Sequence, residues 1–327
     1  MTTPSRTVSV FGATGQQGGA LAGAILGAPE RPFAVRALTR TPGSDAARAL
    51  ERAGAEVVRA DLDDAATLAP ALEGSYGAFV VTDFWQDMDA DHEKARAAAA
   101  AAACAHANVQ HVIWSTLDDT RECVPLDDDR MPTLQGRYKV PHFDAKADAD
   151  AYFSDAGVPT TFLRATFFWE NLLTMSAPQR GEDGVLRLAL PMGDSPLSGI
   201  AVRDVGRIAR AVLERGTDLI GATVPVAGEH LPVAEMARRL SAVLDEPVEY
   251  VPMDPDAFRA LGFPGADEVG NMFQYYRDCA ERFTAARDLA AVRALDPGLQ
   301  DFDHWLAAHR DELRAALAPD PDDANAR

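Results

Sequence analysis

Short apolar segments alternate with amphipathic segments through the first half of the chain. Apolar segments of this kind are typical of strands buried in a sheet, and the amphipathic ones of helices packed on it. The predicted strands are the segment ending at Val10, Pro32–Arg40, Glu56–Asp61, Gly77–Thr82, Val109–Thr116 and Val158–Arg164. The helices predicted between them are Ala20–Leu26, Ser44–Arg52, Ala65–Leu72, Lys94–Ala107 and Val140–Phe153. This alternation predicts right-handed crossovers and an α/β fold with a doubly wound parallel sheet.

The second half of the chain has a different rhythm and predicts a smaller α+β C-terminal lobe. Its predicted strands are Val185–Leu190, Val224–Val226 and Glu249–Val251, and its helices are Val202–Arg215, Pro232–Leu244, Asp254–Leu261 and Phe302–Leu317. We expect Ser198–Ala201 to touch the main sheet again. The predicted organisation is a first domain over 6–165 with 198–228 returning to it, a smaller lobe from 166–197 and 229–312, and a disordered acidic tail over 313–327.

Three glycines follow the first strand at three-residue spacing, in the stretch Gly12-Ala-Thr-Gly-Gln-Gln-Gly18. A strand that stops sharply at glycine, followed by a helix with free N–H groups, is typical of a site for the phosphates of a dinucleotide. Glycine permits a positive φ and a close approach of the backbone to the ligand. The position and spacing therefore predict a Rossmann-type dinucleotide-binding domain.

Strand ends elsewhere supply further candidate cofactor contacts. Arg40 ends the second strand 22 residues after Gly18, where the ribose 2′-group of a cofactor is expected, so a cation there favours NADP(H) over NAD(H). The alternative is an ordinary solvated arginine. Asp61 and Leu62 follow the third strand and either contact the adenine side or cap the next helix. Thr82, Asp83 and Phe84 leave a strand expected next to the first one.

Composition and charge narrow the functional classes. The chain has 50 acidic and 31 basic residues, a formal charge of −19, which disfavours binding to nucleic acids and to anionic membrane surfaces. Its apolar runs are shorter than the ~20 residues of a membrane helix, and Thr2–Arg6 leads straight into a strand, so we predict a cytoplasmic protein. Cys104, Cys123 and Cys279 are scattered and are predicted to be free thiols. His92, His106 and His111 lack metal-ligand spacing, and we predict no metal site.

Several stretches resemble the NmrA-like branch of the atypical short-chain dehydrogenase/reductases. They are Phe11–Gly18, Thr82–Trp85, His142–Lys146, Phe168–Asn171, Leu190–Asp194, Leu261–Ala266, Asn271–Phe273 and Trp305–Leu306. The resemblance implies a cofactor in the cleft between a Rossmann domain and a smaller lobe. The cofactor contacts that it implies are Gly12, Ala13, Thr14, Gly15, Gln16, Gln17, Gly18, Arg40, Asp61, Leu62, Thr82, Asp83, Phe84, Lys94, Lys146, Phe168, Trp169, Glu170 and Asn171. The family is known for NADP(H)-responsive regulators that bind other proteins and for some reductases.

The candidate catalytic group departs from the usual pattern of short-chain reductases, Tyr-x-x-x-Lys. Here His142 stands four residues before Lys146, and Tyr138 is eight residues before it with Pro141 between, so Tyr138 has the wrong geometry. An imidazole can donate a proton near neutral pH, and otherwise His142 is structural. Ser115 and Thr116 either polarise a substrate or make ordinary strand-end hydrogen bonds.

Six aromatic residues near the expected nicotinamide end either form a pocket wall or pack in the core. They are Phe167, Phe168, Trp169, Phe273, Tyr275 and Tyr276. Because the tyrosine donor is missing, we predict an NADP(H)-binding redox sensor whose cofactor state changes 118–136 and the segment after Asn171, and thereby the affinity of a protein partner. The alternative is an NADPH-dependent reductase of a small carbonyl, quinone or imine. The sequence leaves the oligomeric state open, a homodimer included.

Overall fold

Seven parallel strands form the central sheet of the computed structural model, which describes residues 6–30 and 32–318. The strands of the chain are β1 (Arg6–Val10), β2 (Phe33–Thr39), β3 (Glu56–Arg59), β4 (Gly77–Val80), β5 (His111–Thr116), β6 (Thr160–Arg164), β7 (Phe167–Phe168), β8 (Gln179–Arg180), β9 (Leu186–Leu190), β10 (Pro196–Ile200), β11 (Thr223–Pro225), β12 (Glu229–Pro232) and β13 (Val248–Pro252). The order of the central sheet is β11-β6-β5-β4-β1-β2-β3. The chain reverses its direction of travel across the sheet between β1 and β4, so a crevice opens at their carboxyl ends. The predicted Rossmann-type doubly wound sheet is confirmed.

Helices cover both faces of this sheet. The helices are α1 (Gln16–Leu26), α2 (Asp45–Arg52), α3 (Leu68–Leu72), α4 (Ala90–His106), α5 (Pro141–Asp155), α6 (Val202–Glu214), α7 (Val233–Leu244), α8 (Pro255–Arg259), α9 (Ala266–Asp278), α10 (Ala280–Ala285), α11 (Leu289–Leu295), α12 (Phe302–Ala308) and α13 (Arg310–Ala316). Short 3-10 helices lie at Ala65–Thr67, Phe84–Gln86, Thr120–Glu122, Trp169–Leu173 and Gly216–Leu219. Helices α1 and α6 share a core with one face of the sheet, and α3, α4 and α5 with the other.

The alternation of side chains along each strand explains this two-sided core. Phe79 and Ile113 pack towards α1 and α6, whereas their neighbours Ala78 and Trp114 pack towards α4 and α5. Successive side chains of a strand point to opposite faces, and a parallel sheet covered on both sides is apolar on both. The small residues of the alanine-rich α4 are buried against the sheet.

The smaller lobe contains two three-stranded sheets around a separate aromatic core. Their orders are β12-β10-β7 and β13-β9-β8. Residues 196–200 form β10 and pair with β7 and β12, so Ser198–Ala201 does not add a strand to the central sheet and meets the core of that sheet only through Ile200. The return of the chain to the central sheet is made by β11, which pairs with β6. Helix α6 packs beside α1.

Two further expectations are corrected at the end of the chain and at the cysteines. The predicted helix Phe302–Leu317 is two helices with a break at His309, and its last turns pack through the buried Leu313. The predicted disordered tail is therefore wrong for 313–318, and 319–327 lie outside the described residues. Cys123 and Cys279 form a disulfide, which overturns the expectation of free thiols at these two positions, whereas Cys104 is a buried free thiol.

Candidate functional site

The glycine turn between β1 and α1 has the geometry of a phosphate-binding loop. Gly12 has a φ of +61°, and its carbonyl accepts a hydrogen bond from the Gly15 N–H at 2.9 Å. Gly15 is the N-cap of α1, and since glycine has no side chain it cannot cap the N–H groups of the first turn itself. A Cβ on Gly18 would lie 2.4 Å from the Gly12 carbonyl oxygen, so only glycine lets α1 approach the turn this closely.

A cavity of about 590 Å³ extends from this turn across the carboxyl ends of the central strands to the smaller lobe. Most of the predicted site residues line it. These are Gly12, Thr14, Gly15, Gln16, Gln17, Gly18, Arg40, Asp61, Leu62, Thr82, Asp83, Phe84, His142, Lys146, Phe168 and Asn171. The glycine turn, three strand ends and helix α5 therefore converge on one cleft.

Lys94 and Ala13 do not line this cleft, contrary to the prediction. The ammonium of Lys94 lies 3.2 Å from a carboxylate oxygen of Asp91 and 3.7 Å from one of Asp148, and it stands over the ring of Tyr138. Burial lowers the pKa of Lys94, but hydrogen bonding to Tyr138 and Asp91 together outweighs it, so the pKa is raised. Lys94 thus joins α4 to α5 and does not line the cavity, and Ala13 is buried in the core beneath the turn.

Trp169 and Glu170 also lie outside the cleft and have structural positions in the smaller lobe. The indole of Trp169 packs on Phe302 and Trp305. The carboxylate of Glu170 accepts hydrogen bonds from the Val202 N–H at 3.0 Å and from the Trp305 indole N–H at 3.1 Å. Glu170 therefore caps α6, and its burial raises its pKa.

The end of the cleft beside β2 carries Arg40 and a cluster of ion pairs around Arg96. Arg40 follows β2 and donates from Nη1 to Oε1 of Gln86 at 2.7 Å. Beside it, both carboxylate oxygens of Asp63 accept hydrogen bonds from Arg96 at 2.8 Å. These bonds and a further one from His92 lower the pKa of Asp63 to about 2. Arg96 also pairs with Asp87 at 2.6 Å, so its charge is taken up by two carboxylates. Of the two arginines that line this end of the cleft in the described residues, Arg40 is the one without a carboxylate partner.

Lys146 is fixed at the floor of the cleft by a buried network. Its ammonium lies 2.6 Å from Oε1 of Glu93 and donates to Oγ1 and the carbonyl of Thr82 at 2.7 and 3.1 Å. The Thr82 hydroxyl in turn donates to Glu93 at 2.5 Å. An ammonium has three N–H donors, and these three acceptors match them. The network joins the first turn of α4, the exit of β4 and helix α5.

His142 lies in the first turn of α5, where its ring forms part of the cleft wall. Its Nδ1 is hydrogen-bonded to Oε1 of Glu268, from α9 of the smaller lobe, and the same oxygen accepts the His142 backbone N–H at 2.8 Å. The ring also packs against Trp85 and Phe84, with centroids 5.1 and 5.8 Å away. One imidazole nitrogen is therefore occupied by a buried carboxylate.

Ser115 and Thr116 were predicted either to polarise a substrate or to make ordinary strand-end hydrogen bonds, and in the structure they make such hydrogen bonds. The Ser115 hydroxyl donates to Oε1 of Gln17 at 2.7 Å, which links β5 to the glycine turn. The Thr116 hydroxyl donates to Oδ1 of Asp150 at 2.6 Å. Asp150 is half-buried on α5 against β5, and this partial burial raises its pKa to about 6.

The aromatic residues divide between the cleft and the core. Phe167, Phe168 and Tyr276 line the cavity, whereas Trp169, Phe273 and Tyr275 are core residues. Trp85, Phe143, Met175 and Met272 complete the apolar wall. The wall therefore surrounds the end of the cleft that contains His142.

Sequence reasoning missed Gln86, Glu93 and Glu268. Gln86 and Glu93 follow the stretch Thr82–Trp85 along the chain, and Glu268 lies between the stretches 261–266 and 271–273 that carry the family resemblance. Those neighbouring motifs are the only signal in the sequence for Glu268, because its partner His142 is 126 residues away.

The part of the chain that the structure describes contains neither a membrane-spanning helix nor a metal-ligand cluster. No helix among residues 6–30 and 32–318 is long and apolar enough to cross a membrane. Within the same ranges, no group of three or more His, Cys, Asp or Glu side chains is arranged to hold a metal ion.

Comparison with known proteins identifies the family of the chain. The NmrA-like family matches residues 4–306. The NmrA-like family domain-containing oxidoreductase FrzB of a Cladobotryum species is 27% identical over 311 aligned positions, which cover 88% of this chain and 89% of the relative.

The solved structures that share the fold include a regulator and an oxidoreductase. NmrA, a negative transcriptional regulator solved in complex with NADP, has a TM-score of 0.73 at 20% identity over 99% of each chain. The NADPH-dependent quinone oxidoreductase QOR2 of Escherichia coli, complexed with NADPH, has a TM-score of 0.73 at 21% identity over 92% of this chain and 99% of its own. Because the family match extends over nearly the whole chain, this protein belongs to the NmrA-like family.

Proposed function

We propose that this protein binds NADP(H) in the cleft and acts as an NADPH-dependent reductase of a small carbonyl, quinone or imine compound. The cofactor part of the proposal is supported by the uncapped N-terminus of α1 at the glycine turn. Free N–H groups and the helix dipole favour a bound phosphate. The close contact at Gly18 also supports phosphate binding, because it holds the glycine turn against the start of α1.

Arg40 supports the choice of NADP(H) over NAD(H). In sites that bind the unphosphorylated cofactor, a carboxylate usually receives the ribose hydroxyls, whereas an arginine accommodates a 2′-phosphate. The described partner of Arg40 is the neutral amide of Gln86, so its charge is available for a phosphate. QOR2, which shares the fold, was solved with NADPH, whereas NmrA was solved both with NADP and with NAD, so the choice depends on Arg40.

The observation that carries the reductase proposal is the imidazole of His142 in the cleft wall, with Nδ1 held by Glu268. With Nδ1 occupied, Nε2 is the nitrogen that exchanges a proton with a bound molecule. The bound dihydronicotinamide would supply a hydride, that is, two electrons and one hydrogen, to the carbon of a C=O or C=N group. His142 would then give one proton from Nε2 to the oxygen or nitrogen and regain it from water.

The surroundings of His142 favour a neutral, flat acceptor. The wall is formed by aromatic and methionine side chains, among them Trp85, Phe168 and Tyr276. The ammonium of Lys146, which also lines the cleft, is already compensated by Glu93. An anionic substrate would therefore lose its hydration without gaining a counter-ion, which is costly.

A calorimetric titration followed by a turnover assay tests the proposal. We expect heat on titration with NADPH and a much smaller affinity for NADH. With a panel of carbonyls, quinones and imines, absorbance at 340 nm should fall for at least one acceptor, and deuterium at C4 of NADPH should appear in the product. His142→Phe should lower the rate by about 10²-fold or more. His106→Phe, at an exposed position of α4, is the matched control and should not.

Two results would refute this function in different ways. If neither coenzyme gives heat, the cofactor proposal fails. If NADPH binds but no acceptor consumes it, the reductase proposal fails and the sensor remains.

A cofactor-responsive regulator is the second candidate, favoured by the position of Met175. This residue lines the cleft and is also 55% exposed, in the segment after Asn171. Such a segment can report cofactor occupancy to a protein partner if the partner distinguishes the two states. The segment 118–136 is a weaker candidate for this role, because Asn271, Gln274 and the disulfide at Cys123 fasten it to the smaller lobe.

A further inference from the structure

We propose that Glu268 is a positioning residue that sets the tautomer and the orientation of His142, and this inference rests on the proposed reductase function. A single carboxylate oxygen of Glu268 accepts both the backbone N–H of His142 and its ring Nδ1. Both residues are buried, with 5% and 7% of their surfaces exposed. The carboxylate therefore determines which nitrogen of the ring carries a proton.

The contact follows from where two helices begin. Helix α5 starts at Pro141 with the apolar Val140 as its N-cap, a residue whose side chain cannot accept a hydrogen bond. Helix α9 starts after Gly265, which has a φ of +82°, and this brings Glu268 in its first turn onto the start of α5. The N-terminus of a helix attracts a carboxylate, so Glu268 caps α5 from the other lobe.

Capping alone does not account for the second bond. A carboxylate that only capped α5 would have no need to meet the ring nitrogen of the same residue. With Nδ1–H donated to Glu268, the neutral ring has its lone pair on Nε2, and the charged ring has its transferable proton there. Trp85 and Phe143 pack against the ring, with centroids 5.1 and 4.7 Å away, and oppose its rotation.

The two lobes are thereby coupled at the reacting group. His142 belongs to a helix of the central sheet, and Glu268 to the helix that also carries Met272 and Tyr276 of the cleft wall. A movement of α9 that closed or opened the cleft would also change the hydrogen bond to Nδ1. Proton donation would then depend on the closed arrangement of the lobes.

A double-mutant cycle separates the positioning role from capping. Glu268→Gln preserves shape and an oxygen that caps α5, but its amide lacks the charge and does not impose one tautomer. We expect this variant to lower kcat at least about tenfold, with the Kd for NADPH unchanged. In the His142→Phe background the same change should have no further effect on kcat, because the group through which Glu268 acts is gone. Asp267→Asn, exposed on the same first turn, is the matched control and should leave kcat unaltered.

A spectroscopic measurement tests the inference without turnover. In ¹⁵N spectra of the histidine rings of the full-length protein, the neutral form of His142 should show a protonated Nδ1 and an unprotonated Nε2. The resonance is assigned by its loss in His142→Phe. Glu268→Gln should shift this pattern towards a mixture of tautomers. If Glu268→Gln does not fold, the wild-type spectrum alone still tests which ring nitrogen of His142 carries the proton.

The outcomes separate the two proposals. A protonated Nε2 in the neutral wild-type ring, or an equal loss of kcat in both backgrounds, would overturn the role of Glu268. If instead no acceptor consumes NADPH while the spectra show the expected tautomer and its loss in the variant, the positioning of His142 holds and the reductase function fails.

Discussion

The ammonium of Lys146 and the carboxylate of Glu93 form an ion pair at 2.6 Å in the interior of the protein, with the Glu93 side chain fully buried. Removal of one member of a buried pair leaves an uncompensated charge, which costs about 3–5 kcal/mol. We therefore expect Glu93→Gln to lower the free energy of unfolding by that amount in urea titrations. Glu56→Gln is the control, because its pair with Arg36 is at the surface and is worth about 0–1 kcal/mol. Equal losses in the two variants would contradict a buried, interdependent pair.

Arg40→Ala should change the preference between the two coenzymes. The loss of a guanidinium that bonds the 2′-phosphate should weaken NADPH at least about tenfold, since a hydrogen bond to a charged group contributes about 1.5–3 kcal/mol. Binding of NADH, which has no phosphate there, should stay within about twofold. Calorimetry with both coenzymes measures this difference.

Arg48→Ala is the matched control for Arg40→Ala. Arg48 is an exposed arginine of α2 that bonds Asp45. Arg48→Ala should therefore leave the affinity for NADPH and for NADH unchanged. A parallel loss of NADPH and NADH affinity in Arg40→Ala would assign Arg40 to general attraction of anions.

The central sheet could be predicted from the sequence because its signals are local. The strand, glycine turn and helix around Gly12 are consecutive, and right-handed crossovers then order the strands. The smaller lobe was predicted less well, since its sheets join distant short segments, such as Gly199 to Phe167 and Tyr250 to Leu188.

The same distinction explains which predicted residues line the cleft. Residues next to strand ends, such as Arg40 and Thr82, lie there because their place follows from the sheet, and their contact with the cofactor stays a prediction. Lys94 was misplaced because neighbouring residues of a helix point in directions about 100° apart. On α4 the inward position belongs to Glu93, and Lys94 faces Asp91 and Asp148.

Two glycines of α1 should respond oppositely to alanine. At Gly18 a Cβ would meet the carbonyl oxygens of Gly12 and Phe11 at 2.4 and 2.7 Å, and these backbone atoms cannot move without displacing the turn. We expect Gly18→Ala to cost about 1–3 kcal/mol of stability and to weaken NADPH. At Gly23 a Cβ would enter open space, so Gly23→Ala should stabilise the protein by about 0.5–1 kcal/mol. Urea unfolding measures both, and a neutral Gly18→Ala would show that the turn tolerates a side chain.

Asp150 should make stability depend on pH. Burial raises its pKa from an ordinary 3.8 to about 6, so the folded protein holds this proton more tightly than the unfolded chain. The associated stability is complete below about pH 4 and is lost as the pH rises through 6. Asp150→Asn, which does not titrate, should therefore gain up to about 3 kcal/mol over wild type above pH 6 and nothing below pH 4.

Unfolding free energies measured between these pH values test the prediction for Asp150. Asp155→Asn, an exposed position on the same helix, should follow the wild-type curve. A constant offset between Asp150→Asn and wild type across this range would mean that Asp150 does not titrate there.

The disulfide between Cys123 and Cys279 should stabilise the fold without controlling the cleft. It closes a loop of 156 residues between the segment 118–136 and the end of α9. A cross-link restricts the unfolded chain, and its removal in Cys123→Ala/Cys279→Ala should cost about 2–5 kcal/mol. A thiol reductant should lower the Tm of wild type and of Cys104→Ala, but not that of the double variant.

Cofactor binding should be almost unchanged in that double variant, because other bonds hold the same segments together. The Asn271 amide donates to the carbonyls of Pro132 and Lys139 at 2.9 and 2.6 Å, and the Gln274 amide donates to that of Arg130 at 2.7 Å. These bonds survive reduction and keep α9 against the cleft. Calorimetry with NADPH, with and without reductant, should therefore give Kd values that agree within about threefold, since a small shift of α9 alters few contacts. A larger change would make the disulfide a redox control of the cleft, because α9 carries Glu268 and Tyr276.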